Sequence, residues 1–326
     1  MKKVGINGLG RIGRATLKIV MERDDMELVA VNDLVSAEDL AYLLKYDSVY
    51  GKYEKDVSFD EGSLTIGGKK IRVLQEKDPA NLPWGDMDTD VVFECAGIFT
   101  NKEGLEKHIK AGAKTAILSA PAKSEEVATV VHGVNNSEDQ IISCASCTTN
   151  CITPVVEIIN RRIGIKKAIM STIHAYTSSQ PVVDMPQKKK RRGRAGAVNI
   201  VPTTTGAATA TVKVLPELEN KFDGIALRVP VVVGSIADMV FVTGKTTSVE
   251  EINNIFREEA ESERYRGILA ASDEPLVSTD IIKDPHASIV DLGMTQVIDG
   301  DLVKILSWYD NEWGYANQMV LQALKG

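Results

Sequence analysis

Cys147 and His174 are the two side chains whose types allow them to work together as nucleophile and base. Cys147 lies in Ser143-Cys144-Ala145-Ser146-Cys147-Thr148-Thr149-Asn150, between the apolar run Gln140-Ile141-Ile142 and an apolar-rich stretch over 151–163. This pattern predicts a strand, a sharp turn and a helix whose first N–H groups lack intrahelical acceptors. A thiol at that positive end is favoured as thiolate, so Cys147 is a candidate nucleophile near neutral pH. The base must come from four histidines, His108, His132, His174 and His286. His174 follows Ala168-Ile169-Met170-Ser171-Thr172-Ile173, which reads as a strand ending at His174. Whether helix start and strand end meet is for the fold to decide.

Other chemistry for these cysteines is weaker. A lone cysteine can be a small buried apolar residue. Cys144, Cys147 and Cys151 offer a metal-ligand spacing, yet a structural zinc needs four ligands and the only other cysteine, Cys95, stands alone in an apolar run, so no metal is expected. A Cys144–Cys147 redox disulfide has no secreted or thioredoxin-like context.

The elements that must hold the pair are spread over 326 residues, about two domains by length and enough for a large core. Hydrophobic content of 44% with 25% charged residues is that of a globular protein, and no run of 18 apolar residues could span a bilayer. Met1-Lys2-Lys3-Val4-Gly5 enters a strand at once, without a signal-type apolar region, and four cysteines are too few for a disulfide scaffold; both features predict a cytoplasmic protein. A net charge of −7 speaks against a general polyanion-binding surface. There is no low-complexity segment or repeat of fixed period.

In the first half, Lys3-Val4-Gly5-Ile6 reads as a buried strand, Gly8-Leu9-Gly10-Arg11-Ile12-Gly13 as G-x-G-x-x-G, and 14–23 as a helix. Gly8 would allow the tight turn, Gly10 the approach of a pyrophosphate, and Gly13 close helix–strand packing. A second strand, 27–31, runs into Asn32-Asp33, twenty residues past Gly13. An acid there accepts from a ribose diol and repels a 2′-phosphate, favouring NAD over NADP. Asp90 to Gly97 and Lys114 to Ser119 read as further buried strands around a helix over 102–111, an alternation that predicts a parallel sheet covered on both faces. Strand-like pieces at 57–59, 64–66 and 70–74 suggest an inserted hairpin region.

In the second half the strands lengthen: 166–173, 224–233, 237–243 and 286–291, with helices over 248–262 and part of 206–215. This predicts an α+β domain with a mostly antiparallel sheet and helices on one face. Gln187-Lys188-Lys189-Lys190-Arg191-Arg192-Gly193-Arg194 holds six basic residues in eight; without aromatic partners or a wider basic surface it reads as a solvated loop, within which one arginine could hold a phosphate. Thr203-Thr204-Thr205-Gly206 precedes a helix and is a plausible anion site. Arg228, a charge on the apolar strand Ala226-Leu227-Arg228-Val229-Pro230, needs a carboxylate partner or an anionic ligand.

Taken together, the chain resembles the phosphorylating glyceraldehyde-3-phosphate dehydrogenase family over essentially its full length. The resemblance rests on Asn7-Gly8-Leu9-Gly10-Arg11-Ile12-Gly13-Arg14, Leu44-Lys45-Tyr46-Asp47-Ser48, Ser119-Ala120-Pro121-Ala122-Lys123, Ala145 to Asn150, His174-Ala175-Tyr176-Thr177, Pro202 to Ala207, Arg228-Val229-Pro230 and Ser307-Trp308-Tyr309-Asp310-Asn311-Glu312. It implies a Rossmann-type, doubly wound NAD-binding domain over 1–147, to which a helix at about 314–324 returns, and a catalytic domain over 148–313. It also implies that Cys147 attacks the aldehyde with His174 as base, and that a thioester on Cys147 is released by inorganic phosphate as an acyl phosphate, with the Cys147 N–H stabilising the oxyanion. Cofactor contacts fall on Gly8, Gly10, Arg11, Ile12, Gly13, Asp33, Gly97, Ser119 and Asn311, the last holding the nicotinamide carboxamide. The substrate's phosphate is implied on Thr177 and Arg228, and the attacking phosphate on Ser146, Thr148, Arg192, Thr205 and Gly206. The basic loop would lie against a neighbouring subunit's cofactor site in a homotetramer.

The sequence departs from the family pattern at Cys144, where asparagine is usual, at Ser179, where many members have aspartate, at Val233-Gly234 in place of Asn-Val, and at Lys189-Lys190 in place of Asp-Leu. Two alternatives accompany the main reading. Asn311-Glu312-Trp313-Gly314-Tyr315-Ala316-Asn317 resembles erythrose-4-phosphate dehydrogenase, a close relative, whereas His174-Ala175-Tyr176-Thr177 favours the triose enzyme. A nucleotide-loaded scaffold protein using the basic loop is the other, with retention on RNA as its test.

Overall fold

The computed structural model describes residues 1–325, and the chain divides into two compact units. The first contains 1–130, 136–145 and the chain from Met319 on; the second contains 131–135 and 146–318. Among the described residues no helix is long and apolar enough to cross a membrane.

The first unit runs β1 (Lys2–Asn7), α1 (Arg11–Val20), β2 (Met26–Asn32), α2 (Ala37–Lys45), β3 (Tyr46–Asp47), β4 (Gly51–Lys52), β5 (Val57–Asp60), β6 (Ser63–Ile66), β7 (Lys69–Leu74), β8 (Val91–Glu94), α3 (Lys102–Lys110), β9 (Thr115–Leu118), β10 (Ala128–Thr129) and β11 (Ile141–Ser143). Nine of these strands form one sheet in the order β10-β11-β9-β8-β1-β2-β7-β6-β5. From β7 through β2, β1, β8 and β9 to β11 the strands are parallel and follow the doubly wound order 3-2-1-4-5-6, which places the switch point between β1 and β8. Their continuous apolar runs are buried: Val4, Ile6, Val92, Phe93 and Leu118 are at most 1% exposed. The pieces at 57–74 are not an insertion beside the sheet. β7 pairs parallel with β2, and β6 and β5 extend the same sheet antiparallel, because the alternating pattern of β6 and β7 buries Leu64, Ile66 and Ile71. α1 starts at Arg11, three residues earlier than its apolar pattern suggests, since the glycine turn itself forms the cap.

The second unit runs α4 (Cys147–Arg162), β12 (Ile165–Ala175), β13 (Val201–Thr204), α5 (Ala207–Val214), β14 (Phe222–Val229), β15 (Ser235–Thr243), α6 (Val249–Glu261), β16 (Leu269–Ser272), β17 (Ser288–Ile298) and β18 (Leu302–Tyr309), and the chain closes with α7 (Trp313–Lys325). Its seven-stranded sheet has the order β13-β14-β12-β15-β18-β17-β16. It is mostly antiparallel, with β12–β14 and β16–β17 parallel. α4 supplies Ile152, Val155, Val156, Ile158 and Ile159 to one core with Met239 and Phe241 of β15, Ile305 of β18 and Phe256 of α6. β14 stops at Val229, before Pro230, which lacks the N–H a continued ladder would need. β17 runs past the expected end at Asp291 to Ile298, across a register shift between Asp291 and Gln296, and pairs with β18, whose alternating burial shows one face in the core.

Candidate active site

The turn into α4 begins at Ala145, whose φ of 54° lies in the left-handed region. Ser146 then caps the helix, its Oγ accepting from Thr149 N at 3.1 Å, and Cys147 is the first helical residue. On the neighbouring strand, β12 continues one residue past His174, to Ala175. These two placements bring His174 Nε2 to 3.4 Å from Cys147 Sγ. Sequence could name both residues, and the structure unites them.

Two supports hold the pair: Tyr309, which no local pattern singles out, and Arg228, whose contact with His174 the sequence does not show. Tyr309, at the end of β18, donates or accepts at 2.8 Å with both Thr148 and Thr172, and its ring stands edge-on to His174 at 6.0 Å. Arg228 is the direct register partner of His174 in the parallel β12–β14 pairing. Its Nη1 donates to Ala175 O at 2.9 Å and lies 2.8 Å from His174 Nδ1. Nδ1 itself lies 2.6 Å from Ala175 O.

Burial pushes the Cys147 thiol above its ordinary value; Arg228 is the largest opposing influence, followed by Thr148. Burial at Cys147 thus opposes the effect of the helix start. Burial first, and then the charge of Arg228, lower His174 to about 3. Cys144 and Cys151, both fully desolvated, are pushed up to about 12, and Cys151 is held by Ser288 and Ser307, which leaves Cys147 the more acidic thiol of its helix.

Arg228 has no carboxylate partner among the described residues; its neighbours are His174 and the cation Arg192. Of the loop arginines, Arg192 is the one aimed inward, its Nε donating to Thr203 Oγ1 at 2.9 Å and its Nη2 to Thr204 O at 3.2 Å. Arg194 is turned outward and paired with Asp184. Lys189 Nζ donates to Thr204 Oγ1 at 2.6 Å. β13 pairs antiparallel with β14, Val201 opposite Arg228, so by the two-residue period Thr203 shares the face of Arg228 and His174. Next along the chain, Gly206 stands at the N-terminus of α5 with open space where a side chain would lie, and Thr205 Oγ1 accepts from Ala207 N. Cations and helix N–H groups without compensating carboxylates suit a phosphate-sized anion. Thr177 Oγ1 is 2.8 Å from Ser179 Oγ at the exit of β12, whereas the Thr148 hydroxyl is turned into the interior toward Tyr309. Asn311 Oδ1 accepts from Ser235 Oγ at 2.9 Å.

In the first unit, the residues singled out for a dinucleotide gather at the carboxyl ends of β1, β2, β8 and β9. Gly8 has φ +92°, and a Cβ there would meet the Ala96 backbone at 2.5 Å; one on Gly13 would meet Gly8 O at 1.9 Å. Gly10 and Gly97 have nothing within 4 Å of that position. Asp33 is oriented by Leu9 N, donating to its Oδ2 at 2.6 Å, and by Val35 N. Arg11 is held by Asp47 at 2.6 Å, which explains the Lys45-Tyr46-Asp47-Ser48 motif, and Ile12 follows in the first turn of α1. Ser119 ends the β9 run. An open turn at a helix N-terminus beside an anchored acid fits a dinucleotide whose ribose is unphosphorylated.

Residues 2–102 match the NAD-binding domain of glyceraldehyde 3-phosphate dehydrogenase, and residues 146–311 match its C-terminal domain. The chain belongs to the glyceraldehyde 3-phosphate dehydrogenase family. It is 50% identical over 337 residues to glyceraldehyde-3-phosphate dehydrogenase of Mycolicibacterium smegmatis, covering 99% of this chain and 98% of that one. It is 48% identical to the enzyme of Geobacillus stearothermophilus and 47% identical to glyceraldehyde-3-phosphate dehydrogenase 2 of Streptomyces avermitilis, each match covering 98% of this chain and 96% of the relative. The family match covers both the glycine turn and the Cys147–His174 pair.

Proposed function

We propose that this protein oxidises D-glyceraldehyde 3-phosphate, with NAD and inorganic phosphate, to 1,3-bisphosphoglycerate in glycolysis and gluconeogenesis. The observation that carries the reading is Cys147 Sγ at 3.4 Å from His174 Nε2, beside Arg228 and with Arg192 aimed at the adjoining strand. Sγ adds to the aldehyde carbon as Nε2 takes the thiol proton, which then passes to the developing alkoxide of a thiohemiacetal. His174 takes that proton back as the carbon loses hydride, leaving a thioester on Cys147. Bound NAD supplies the hydride acceptor. A phosphate oxygen then attacks the thioester carbonyl, and the departing sulfur recovers its proton from His174. N–H groups at the start of α4, including that of Cys147, are suited to the oxyanion.

Thr177 and Arg228 are assigned the substrate's phosphate; Arg192, Thr205 and Gly206, with Ser146 and Thr148 from the first turn of α4, are assigned the attacking phosphate. Gly8, Gly10, Arg11, Ile12, Gly13, Asp33, Gly97 and Ser119 are assigned to NAD, and Asn311 to its carboxamide. Four free cysteines and a mechanism that needs a reduced thiol support a cytoplasmic setting. Assembly as a homotetramer is supported by apolar side chains left exposed on and around the basic loop, Val182 at 87% and Val198 at 75%, and on the open sheet face at Ile169, at 61%. Light scattering should give four chains per particle.

The deciding assay is NADH formation by the purified protein with glyceraldehyde 3-phosphate, with and without phosphate, beside erythrose 4-phosphate, NADP and a Cys147→Ser variant. Phosphate-dependent turnover that prefers NAD and the triose and vanishes in the variant is expected. Faster turnover of erythrose 4-phosphate would reassign the substrate, and inactivity on both sugars would overturn the enzymatic reading.

A further inference from the structure

We infer that Glu94 holds a fixed negative charge behind the dinucleotide site and so makes this protein bind NAD, the oxidised form, more tightly than NADH. The inference rests on the cofactor assignments above and adds a residue that none of them includes.

Glu94 is the last residue of β8 and is wholly buried, as is His108 of α3. The direction of each hydrogen bond around it follows from groups that have only one option. Trp84 Nε1 can only donate, and it does so to His108 Nδ1 at 3.1 Å. The ring proton is therefore on Nε2, which donates to Glu94 Oε2 at 3.0 Å, and the imidazole is neutral. From the other side, Glu76 N donates to Asn32 Oδ1 and Glu76 O accepts from Asn32 Nδ2, each at 2.9 Å, which fixes that amide. Asn32 Nδ2 also donates to Asn7 Oδ1 at 2.7 Å, so Asn7 turns its own Nδ2 to Glu94 Oε2 at 2.5 Å. Ala96 N donates to Glu94 Oε1 at 2.7 Å. Three donors converge on Glu94 and no acceptor does. That is the setting of a carboxylate, because a carboxylic acid would have no acceptor for its proton.

The charge has no counter-ion among the described residues. Its one basic neighbour is His108, and that ring is neutral. Hydrogen bonds hold the carboxylate in place without cancelling it. Its field reaches past the end of the strand: burial raises the Cys95 thiol to about 12, and the charge of Glu94 adds to the rise. Ala96, which Glu94 anchors, packs directly on the cofactor turn, since a Cβ on Gly8 would meet the Ala96 backbone at 2.5 Å.

A dinucleotide on a doubly wound sheet lies across the carboxyl ends of the strands at the switch point, here between β1 and β8. With the adenosine ribose on Asp33, just past β2, and the pyrophosphate at the turn after β1, the nicotinamide half extends toward β8, the strand that Glu94 ends. The nicotinamide ring is cationic in NAD and neutral in NADH; the two are otherwise alike. Through a low-dielectric interior a fixed carboxylate attracts the first ring and gives the second no such gain. A packing defect would weaken both forms together, whereas loss of the charge changes their ratio.

Calorimetric titration of the purified protein with NAD and with NADH tests this. In Glu94→Gln the ratio of the Kd for NADH to the Kd for NAD should fall several-fold, through weaker binding of NAD. His108→Gln offers one donor and one acceptor in place of the ring and leaves the carboxylate, so it should keep the wild-type ratio even if it unfolds at a lower temperature. The inference is overturned, with the NAD assignment intact, if Glu94→Gln weakens both forms by the same factor or if His108→Gln shifts the ratio as far. It is also overturned if wild type binds NADH at least as tightly as NAD, a result that needs no variant. A wild type that binds neither form would remove the cofactor assignment together with the inference.

Discussion

The hydroxyl of Tyr309 lies 2.8 Å from that of Thr148, the residue after Cys147, and the same hydroxyl lies 2.8 Å from Thr172, two residues before His174. One buried phenol on β18 thus ties the helix that carries the nucleophile to the strand that carries the base. Tyr309→Phe keeps the ring against His174 and removes the tie, leaving two buried hydroxyls to find other partners. Stability should fall by about 1–3 kcal/mol. The loosened pair should lower kcat by between about 10-fold and 100-fold. Steady-state kinetics beside thermal unfolding check this; an unchanged kcat would reduce Tyr309 to a core residue.

The acidity of the site gives a second prediction. Burial raises the Cys147 thiol, and Arg228 is the largest influence lowering it; His174 is held down to about 3. A group with a raised value keeps its proton to higher pH. Alkylation of Cys147 by iodoacetamide should therefore accelerate into the alkaline range without an earlier step from His174. Arg228→Leu removes the lowering charge and should displace the profile to still higher pH. A profile that stays in place, or moves toward acid, would show that Arg228 does not govern the thiol.

Gly8 and Gly10 should separate folding from cofactor binding. Alanine at Gly8 meets the Ala96 backbone in a conformation side chains rarely adopt, so it should cost about 3 kcal/mol or more. Alanine at Gly10 meets no protein atom and should change stability by no more than about 1 kcal/mol. If the pyrophosphate lies there as proposed, the Cβ should weaken NAD by about tenfold, or about 1.4 kcal/mol, or more. Thermal unfolding and NAD titration by fluorescence distinguish the two; normal NAD affinity in Gly10→Ala would refute the placement.

Asp33 is anchored by Leu9 N and Val35 N, which fixes its carboxylate at the end of β2. Asp33→Ala should weaken NAD by roughly 1.5–3 kcal/mol, the range for a hydrogen bond to a charged group. It should also raise the NADP-to-NAD ratio of kcat/KM, because the charge that repels a 2′-phosphate is gone. An unaltered ratio would mean that cofactor choice is made elsewhere.

The local signals were strong where one element sufficed. The glycine turn, Asp33 at its distance from Gly13, and the strand–turn–helix around Cys147 follow from backbone sterics, helix ends and periodicity, which act over a few residues. By itself the sequence therefore determined the two kinds of sheet, the glycine turn, and the candidate nucleophile, base and cations. Tertiary structure alone decided that His174 lies opposite Arg228, that Arg192 rather than Arg194 turns inward, and that Tyr309 joins Thr148 to Thr172. It also decided how far burial opposes the helix start at Cys147, since desolvation depends on everything packed around the group and not on the helix it begins. Strand register, the inward turn of one loop side chain and burial are sums over residues far apart in the chain, and no local pattern encodes them.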